Sequence, residues 1–234
     1  KIAIASIIRD EEGSGNLGRF LDCCLELEQY HKNLVYIFIE GDSSDRTYGV
    51  LKDWTGQRSC SILEKINKGY SPFGKTKDVK RTVHLAELRN RLIELILYLQ
   101  DVGEVLMIDA NYGWKGDLIS SLREVNAHIA APLAVMHKDD SGRYIFYDIW
   151  VFRKNGREFW PIYPYAEDMQ FDNPVDVDSV GSGYLIKRQV LEAGVRYDGN
   201  NDSEQVGFCN NARNLGFSIR INPKIYIRKG GFKE

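Results

Sequence analysis

The sequence predicts an α/β domain in which a mostly parallel central sheet is flanked by helices, with a small antiparallel portion in the carboxyl half. Three observations predict it. Short apolar runs rich in β-branched residues alternate with segments of helical spacing through the first hundred positions. Two of those runs end on acidic residues, at Glu40 and Asp109, as expected where the strands of a parallel sheet finish at a ligand edge. The apolar content of 43% over 234 residues is ordinary for a folded protein, and one core over residues 1–234 is the simplest division.

Taken in order, Ile2 to Ile8 reads as a buried strand bounded by Arg9-Asp10-Glu11-Glu12. Asn16 to Tyr30 carries Leu17, Phe20, Leu21, Cys24 and Leu27 at helical spacing. Leu34 to Ile39 is a second strand, and Ser44 or Asp45 is placed to cap a helix running to about Trp54. Ser61 to Ile66 is a weaker third strand. Asn67 to Lys80, polar and containing Pro72, reads as a mobile loop. Arg81 to Gln100 has one apolar helical face, and Glu104 to Ile108 is a fourth strand ending on Asp109. Further on, Asp117 to Val125 reads as a helix, Ala127 to Val135 as a strand and Tyr144 to Phe152 as an aromatic antiparallel segment. Gly183 to Ile186 is a strand, Ser203 to Leu215 a helix, and Phe217 to Ile221 and Ile225 to Ile227 are two short strands.

Charge and cysteine usage narrow the function classes. A formal net charge of −2 leaves no broad electrostatic footprint for nucleic acid or an anionic membrane. Cys23, Cys24, Cys60 and Cys209 lack metal-ligand spacing and read as free thiols of a reducing compartment. No apolar run approaches the roughly 18 to 20 residues that span a bilayer. A cytoplasmic location is expected, the alternative being the lumenal catalytic domain of a membrane-anchored protein. Oligomeric state is not legible.

Three elements carry the chemistry. In Glu40-Gly41-Asp42-Ser43-Ser44-Asp45-Arg46-Thr47, a carboxylate after a buried strand sits where it can accept hydrogen bonds from a base or a ribose, although capping and turn formation account equally for these residues. Arg89-Asn90 lies on the long helix, with Arg89 at the border of its apolar face and in reach of the sheet edge, a position suited to pairing with phosphate. Asp109-Ala110-Asn111 follows an apolar strand and offers two oxygen ligands that suit a hard divalent cation held against a diphosphate. In the carboxyl half, Gly181 and Gly183 permit close backbone approach and Ser182 offers a hydroxyl. Trp150 and Trp160 are candidates for stacking on sugar faces, and Asp202 and Glu204 begin a helix where capping is the plain alternative.

Together these segments resemble glycosyltransferases of GT-A type, whose central sheet is Rossmann-like. The strand-two segment is similar to the acidic pair and Gly-Ser-x-Asp-x-Thr signature of family 2 enzymes, with the order changed to Glu40-Gly41-Asp42. Asp109-Ala110-Asn111 resembles the Asp-x-Asp motif with an amide in second place. Tyr147 to Arg153, Asp176 to Gly183 and Ser203 to Phe208 look like the later motifs of fungal mannan-polymerase mannosyltransferases and, more loosely, of capsule-associated mannosyltransferases. The resemblance implies hexose transfer from a nucleoside diphosphate sugar to an acceptor hydroxyl of a glycan, with 1–111 as the nucleotide-binding half and 112–234 as the acceptor and sugar half. It implies a donor site of Ile8, Arg9, Glu40, Asp42, Arg89, Asn90, Asp109, Ser182 and Gly183. Manganese or magnesium would be held weakly by Asp109 and Asn111. For an inverting reaction Glu204 is the first candidate base, with Asp148 and Asp178 behind it. Gln205 stands where an aspartate is frequent, and Arg228-Lys229 where many relatives place a metal-binding histidine. That basic pair reads as a solvated terminal charge pair or as a direct neutraliser of diphosphate. A degenerate binding module and a sugar-nucleotide pyrophosphorylase are the competing readings.

Overall fold

The computed structural model describes residues 1–70, 78–158, 173–200 and 202–231. Within them, β1 (Ile2–Ile8), α1 (Asn16–Tyr30), β2 (Leu34–Glu40), α2 (Thr47–Gly56), β3 (Ser61–Lys65), α3 (Val79–Tyr98) and β4 (Glu104–Ile108) form the alternating amino-terminal half. The carboxyl half contains β5 (Tyr112–Gly113), α4 (Leu118–Arg123), β6 (Ile129–Lys138), β7 (Tyr144–Phe146), β8 (Arg153–Lys154), β9 (Arg157–Glu158) and β10 (Val175–Asp176). It finishes with β11 (Gly183–Lys187), α5 (Arg188–Glu192), α6 (Glu204–Asn214) and β12 (Ile219–Lys229).

One sheet runs in the order β10-β12-β6-β11-β4-β1-β2-β3. β1 lies parallel to both β2 and β4, β2 is parallel to β3, and β11 enters antiparallel between β4 and β6. The expected parallel sheet with an antiparallel carboxyl portion is therefore what the chain forms. Side chains of β1 alternate between two cores, as strand geometry requires. Ala3 and Ala5 face the layer of α3, α5 and α6 with Leu92, Ile96 and Phe208, while Ile2, Ile4 and Ile8 face α1, α2 and α4 with Leu17, Phe20 and Leu51.

Several helix starts follow from local chemistry. Asp78, Asp117 and Ser203 accept hydrogen bonds from the amides of Lys80, Ser120 and Gln205 and so cap α3, α4 and α6. α2 differs from expectation: it begins after Arg46, whose side chain makes no cap, and Asp45 bonds the Thr47 amide from one residue further out. The aromatic segment is also shorter than expected. Only Tyr144–Phe146 pairs with β6, after which the chain turns through bonds from Ile149 N to Tyr147 O and from Phe152 N to Asp148 O. The two final strands are one, β12, irregular between Asn222 and Tyr226 where Pro223 supplies no amide. The β8–β9 hairpin turns at Asn155-Gly156, both at positive φ, a dipeptide whose turn signal is plain in the sequence. All four cysteines are free, and among the described residues no helix is long and apolar enough to cross a membrane. Residues 71–77 of the loop expected at 67–80, including Pro72, and the candidate Trp160 lie outside the described residues.

Candidate active site

A cleft of about 470 Å³ opens at the carboxyl ends of β1, β2 and β4 and extends under the start of α6. This is where a parallel sheet gathers ligands, because the strands stop there and neighbouring connections diverge. Its first half is formed by Ile8, Arg9, Gly41 and Ile66 with His84, Leu85 and Leu88 of α3. Gly41 has no substitute here, since a Cβ would meet the Ile66 carbonyl at 1.8 Å. Arg9 lies on the cleft wall, its Nη2 donating to the Tyr70 carbonyl at 2.7 Å.

The strand-two signature acts as a scaffold. Thr47 Oγ1 accepts from the amides of both Glu11 and Glu12 at 3.0 Å, Asp45 Oδ2 accepts from Gly13 N at 2.8 Å, and Asp10 Oδ1 accepts from Ser44 N at 2.6 Å. These bonds lock the turn after β1 to the turn after β2 and so position Arg9. Asp42 collects the amides of Gly69, Tyr70 and Lys68. Burial acts to raise its carboxyl, but those donors outweigh it and hold the pKa below the ordinary aspartate value. The carboxylate thus holds the following loop and does not line the cleft. Glu40 is wholly buried beneath the wall, with neither carboxylate oxygen partnered among the described residues.

The second half of the cleft is charged. Arg89, on α3, donates from Nη2 to Asp109 Oδ1 at 2.6 Å and from Nε to Glu204 Oε1 at 3.2 Å. With its amide oxygen turned toward Arg89, Gln205 accepts from Arg89 Nη2 and from Ser182 N, both at 3.2 Å. Asp109 therefore faces the cleft with one oxygen already engaged, and Glu204 is the inner anchor of a buried cation. Asn90, next to Arg89, exchanges two bonds with the Tyr197 backbone, at 3.0 and 2.8 Å, and fixes α3 to the approach of α6 away from the cleft.

Asp148 reaches the cleft because the chain turns after β7. Burial, then the nearby charge of Asp109, push its carboxyl up to about 7, against hydrogen bonds from Ser182 and the Gly181 amide. A Cβ at Gly181 would strike Val151 and Gln205 at 2.3 and 2.4 Å, so glycine is what lets these groups converge. Ser182, at positive φ, bonds Tyr112 Oη at 3.0 Å, and its carbonyl accepts from Asp109 N. Gly183 starts β11 behind this turn, outside the cleft lining. Asp178 is outside it too, its carboxylate paired with Arg213 at 2.9 Å and with the Gly156 amide.

The donor set fits a resident divalent metal poorly. Asn111, on the cleft wall, offers a neutral amide whose Oδ1 is shielded from water and has no partner among the described residues, Asp109 has given one oxygen to Arg89, and no group of three His, Cys, Asp or Glu suited to a metal exists among the described residues. Lys229 stands at this corner instead of a histidine, on the cleft wall and bonded to the Tyr147 hydroxyl. Of the Arg228-Lys229 pair, then, Lys229 is a wall residue of the cleft rather than a solvated end. Sequence reasoning passed over Glu11, Tyr112 and Tyr147, which also line it. The signal for these two tyrosines was an aromatic beside a candidate site residue, Tyr112 after Asn111 and Tyr147 before Asp148.

No protein-family model matches the sequence, and no curated protein matches it significantly. Solved structures do match in fold. TarS from S. aureus, residues 1–349 in complex with UDP, superposes with a TM-score of 0.59 at 11% identity, covering 100% of this chain and 61% of that one. The mannosyltransferase PcManGT from Pyrobaculum calidifontis, in complex with GDP-Man and Mn2+, gives 0.56 at 11% identity, over 98% of this chain and 56% of that one. GalNAc-T7 with UDP, GalNAc and Mn2+ gives 0.60 at 13%, over 100% and 44%. The chain spans less than two thirds of the length of each of these proteins. At such identities the likeness speaks to architecture, and the architecture is the GT-A fold of glycosyltransferases.

Proposed function

We propose that this protein transfers a hexose from a nucleoside diphosphate sugar to an acceptor hydroxyl of a glycan. The observation that carries the reading is the Arg89 bridge, which joins a strand-end carboxylate, Asp109, to Glu204 at the start of α6 inside one cleft. In this reading residues 1–111 hold the nucleotide, with the base between Ile8, Gly41 and Ile66 and the phosphates toward Arg9, and residues 112–234 hold the sugar and acceptor. The UDP and GDP-Man complexes of proteins with this fold support a nucleotide-sugar donor. Glu204 is assigned to positioning, because its carboxylate is buried and committed to the Arg89 guanidinium.

Asp148 takes the role of base in a displacement with inversion. Its carboxylate accepts the acceptor's hydroxyl proton as the acceptor oxygen bonds to the anomeric carbon. The bond from that carbon to the β-phosphate oxygen breaks, and the electron pair leaves with the nucleoside diphosphate. A carboxyl near 7 is matched to such a transfer at neutral pH. Trp150, 43% exposed on the cleft wall, offers a face for the acceptor sugar. The test is release of nucleoside diphosphate from UDP- and GDP-hexoses by the parent protein, Asp109→Ala and Asp148→Asn. Release by the parent alone supports the reading, whereas tight nucleotide binding with no release on any acceptor would leave a binding module.

A further inference from the structure

We propose that Lys229, and not a divalent cation, supplies the positive charge that balances the departing diphosphate; this deepens the nucleotide-sugar reading above and rests on it. Where a metal would be held, one oxygen of Asp109 is already committed to Arg89 and the second motif position supplies an amide instead of a carboxylate. Asn111 presents a neutral and buried amide oxygen, and Asp109 already shares a charge with Arg89. Within the Arg89, Asp109 and Glu204 group two carboxylates meet one guanidinium, so a single negative charge is left over to attract a cation.

The fold delivers a cation to this corner by backbone pairing. β5 and β12 run antiparallel with Tyr112 opposite Lys229, and Gly230 N donates to the Asn111 carbonyl at 2.8 Å. The strand that ends the sheet is thereby pinned to the turn that carries Asp109 and Asn111. The Lys229 ammonium bonds the Tyr147 hydroxyl and sits 4.1 Å from the centroid of that ring, which fixes its position without neutralising it. Glu11 is near enough for the charges of both Lys229 and Asp109 to act on its carboxyl, but its Oε2 is taken by Asn16 and Ser14. Among the described residues no carboxylate lies within ion-pair distance of Lys229. A compact ammonium on a flexible stem is a common phosphate ligand. When the anomeric bond breaks, negative charge grows on the β-phosphate oxygen, and a preplaced cation lowers the barrier to its departure.

Calorimetric titration of UDP and of GDP, with uridine and guanosine as phosphate-free controls, tests this in EDTA and in manganese chloride. The parent protein is expected to bind one of the diphosphates in EDTA within about twofold of its affinity in manganese. Lys229→Gln should lose roughly 10- to 100-fold for that diphosphate, the effect of one charge-assisted bond, with nucleoside affinity unchanged and with most of the loss restored in Lys229→Arg. Binding that vanishes in EDTA and returns with manganese would overturn the inference while leaving the nucleotide reading standing. Parental affinity in a folded Lys229→Gln would overturn it as well. Should that variant not fold, the EDTA comparison on the parent decides alone. No binding of either diphosphate under either condition would remove the nucleotide reading itself, and this inference with it.

Discussion

Arg89 and Glu204 form an ion pair at 3.2 Å whose side chains are 4% and 5% exposed, and Asp109, 29% exposed, completes it from the cleft side at 2.6 Å. The unequal burial sets an order of effects. Glu204→Ala leaves a buried guanidinium short of its inner partner and is expected to cost about 3–5 kcal/mol of stability. Asp109→Ala leaves Arg89 still paired with Glu204 and should cost about 1–3 kcal/mol, while abolishing transfer. Urea unfolding of both variants measures this, and a larger loss in Asp109→Ala would contradict the assignment of Glu204 to positioning.

Asp148 predicts a pH signature with a definite sign. Its folded pKa near 7 lies above the ordinary 3.8, so the folded state holds this proton more tightly. The resulting stability is complete below about pH 4 and is lost as pH rises through about 7. Asp148→Asn lacks that contribution and should gain on the parent protein between about pH 4 and pH 7, while losing turnover. In the parent, kcat/KM should rise with pH to a midpoint near 7. Parallel stability curves for the two proteins would show that the carboxyl is not raised by folding.

Glu40 is buried with neither carboxylate oxygen partnered among the described residues, an arrangement that costs stability. Glu40→Gln is therefore expected to stabilise the ligand-free protein by about 1 kcal/mol. If the carboxylate takes a donor from the base or ribose, the same change weakens nucleoside binding. Thermal unfolding and nucleoside titration separate the two effects, and unchanged nucleoside affinity would confine Glu40 to the core.

Thr47 holds two amides of the turn that leads out of β1. Thr47→Val removes that acceptor at nearly constant volume and should cost about 1–2 kcal/mol. Because the same turn positions Arg9, nucleotide affinity should fall in parallel. Parental affinity in Thr47→Val would show that the turn keeps its shape without the hydroxyl.

Asn111→Asp would add a charge at an oxygen closed off from water and close to Asp109 in the chain. Lower stability in EDTA, recovered on adding manganese, is expected of this variant and not of the parent. A thermal shift of the parent by manganese alone would reveal a ligand set other than the one described.

The sheet was legible because its signals are local. Ile2–Ile8, Leu34–Glu40 and Glu104–Ile108 are short enough for an apolar run to declare a strand, and the five buried residues of α1 declare its face within 11 positions of chain. Strand-end acids such as Asp109 followed from those boundaries. The Asn155-Gly156 hairpin was equally local and was passed over. What the residues do in the cleft was not local. Glu204 meets Arg89 across 115 positions and Lys229 meets Tyr147 across 82, so a resemblance or a helix start marks Glu204 without its ion pair, and the end of a strand leaves Lys229 open between solvent and diphosphate. Asp42 and Asn90 were credited with ligand contacts because their amide-binding partners, the 68–70 backbone and Tyr197, come from other parts of the chain. The sequence by itself determined the strands of the amino-terminal half and where their parallel sheet must end. Only the tertiary structure decided which charges are spent on one another and which remain for a ligand, because burial and ion pairing are properties of neighbours in space and not of neighbours in sequence.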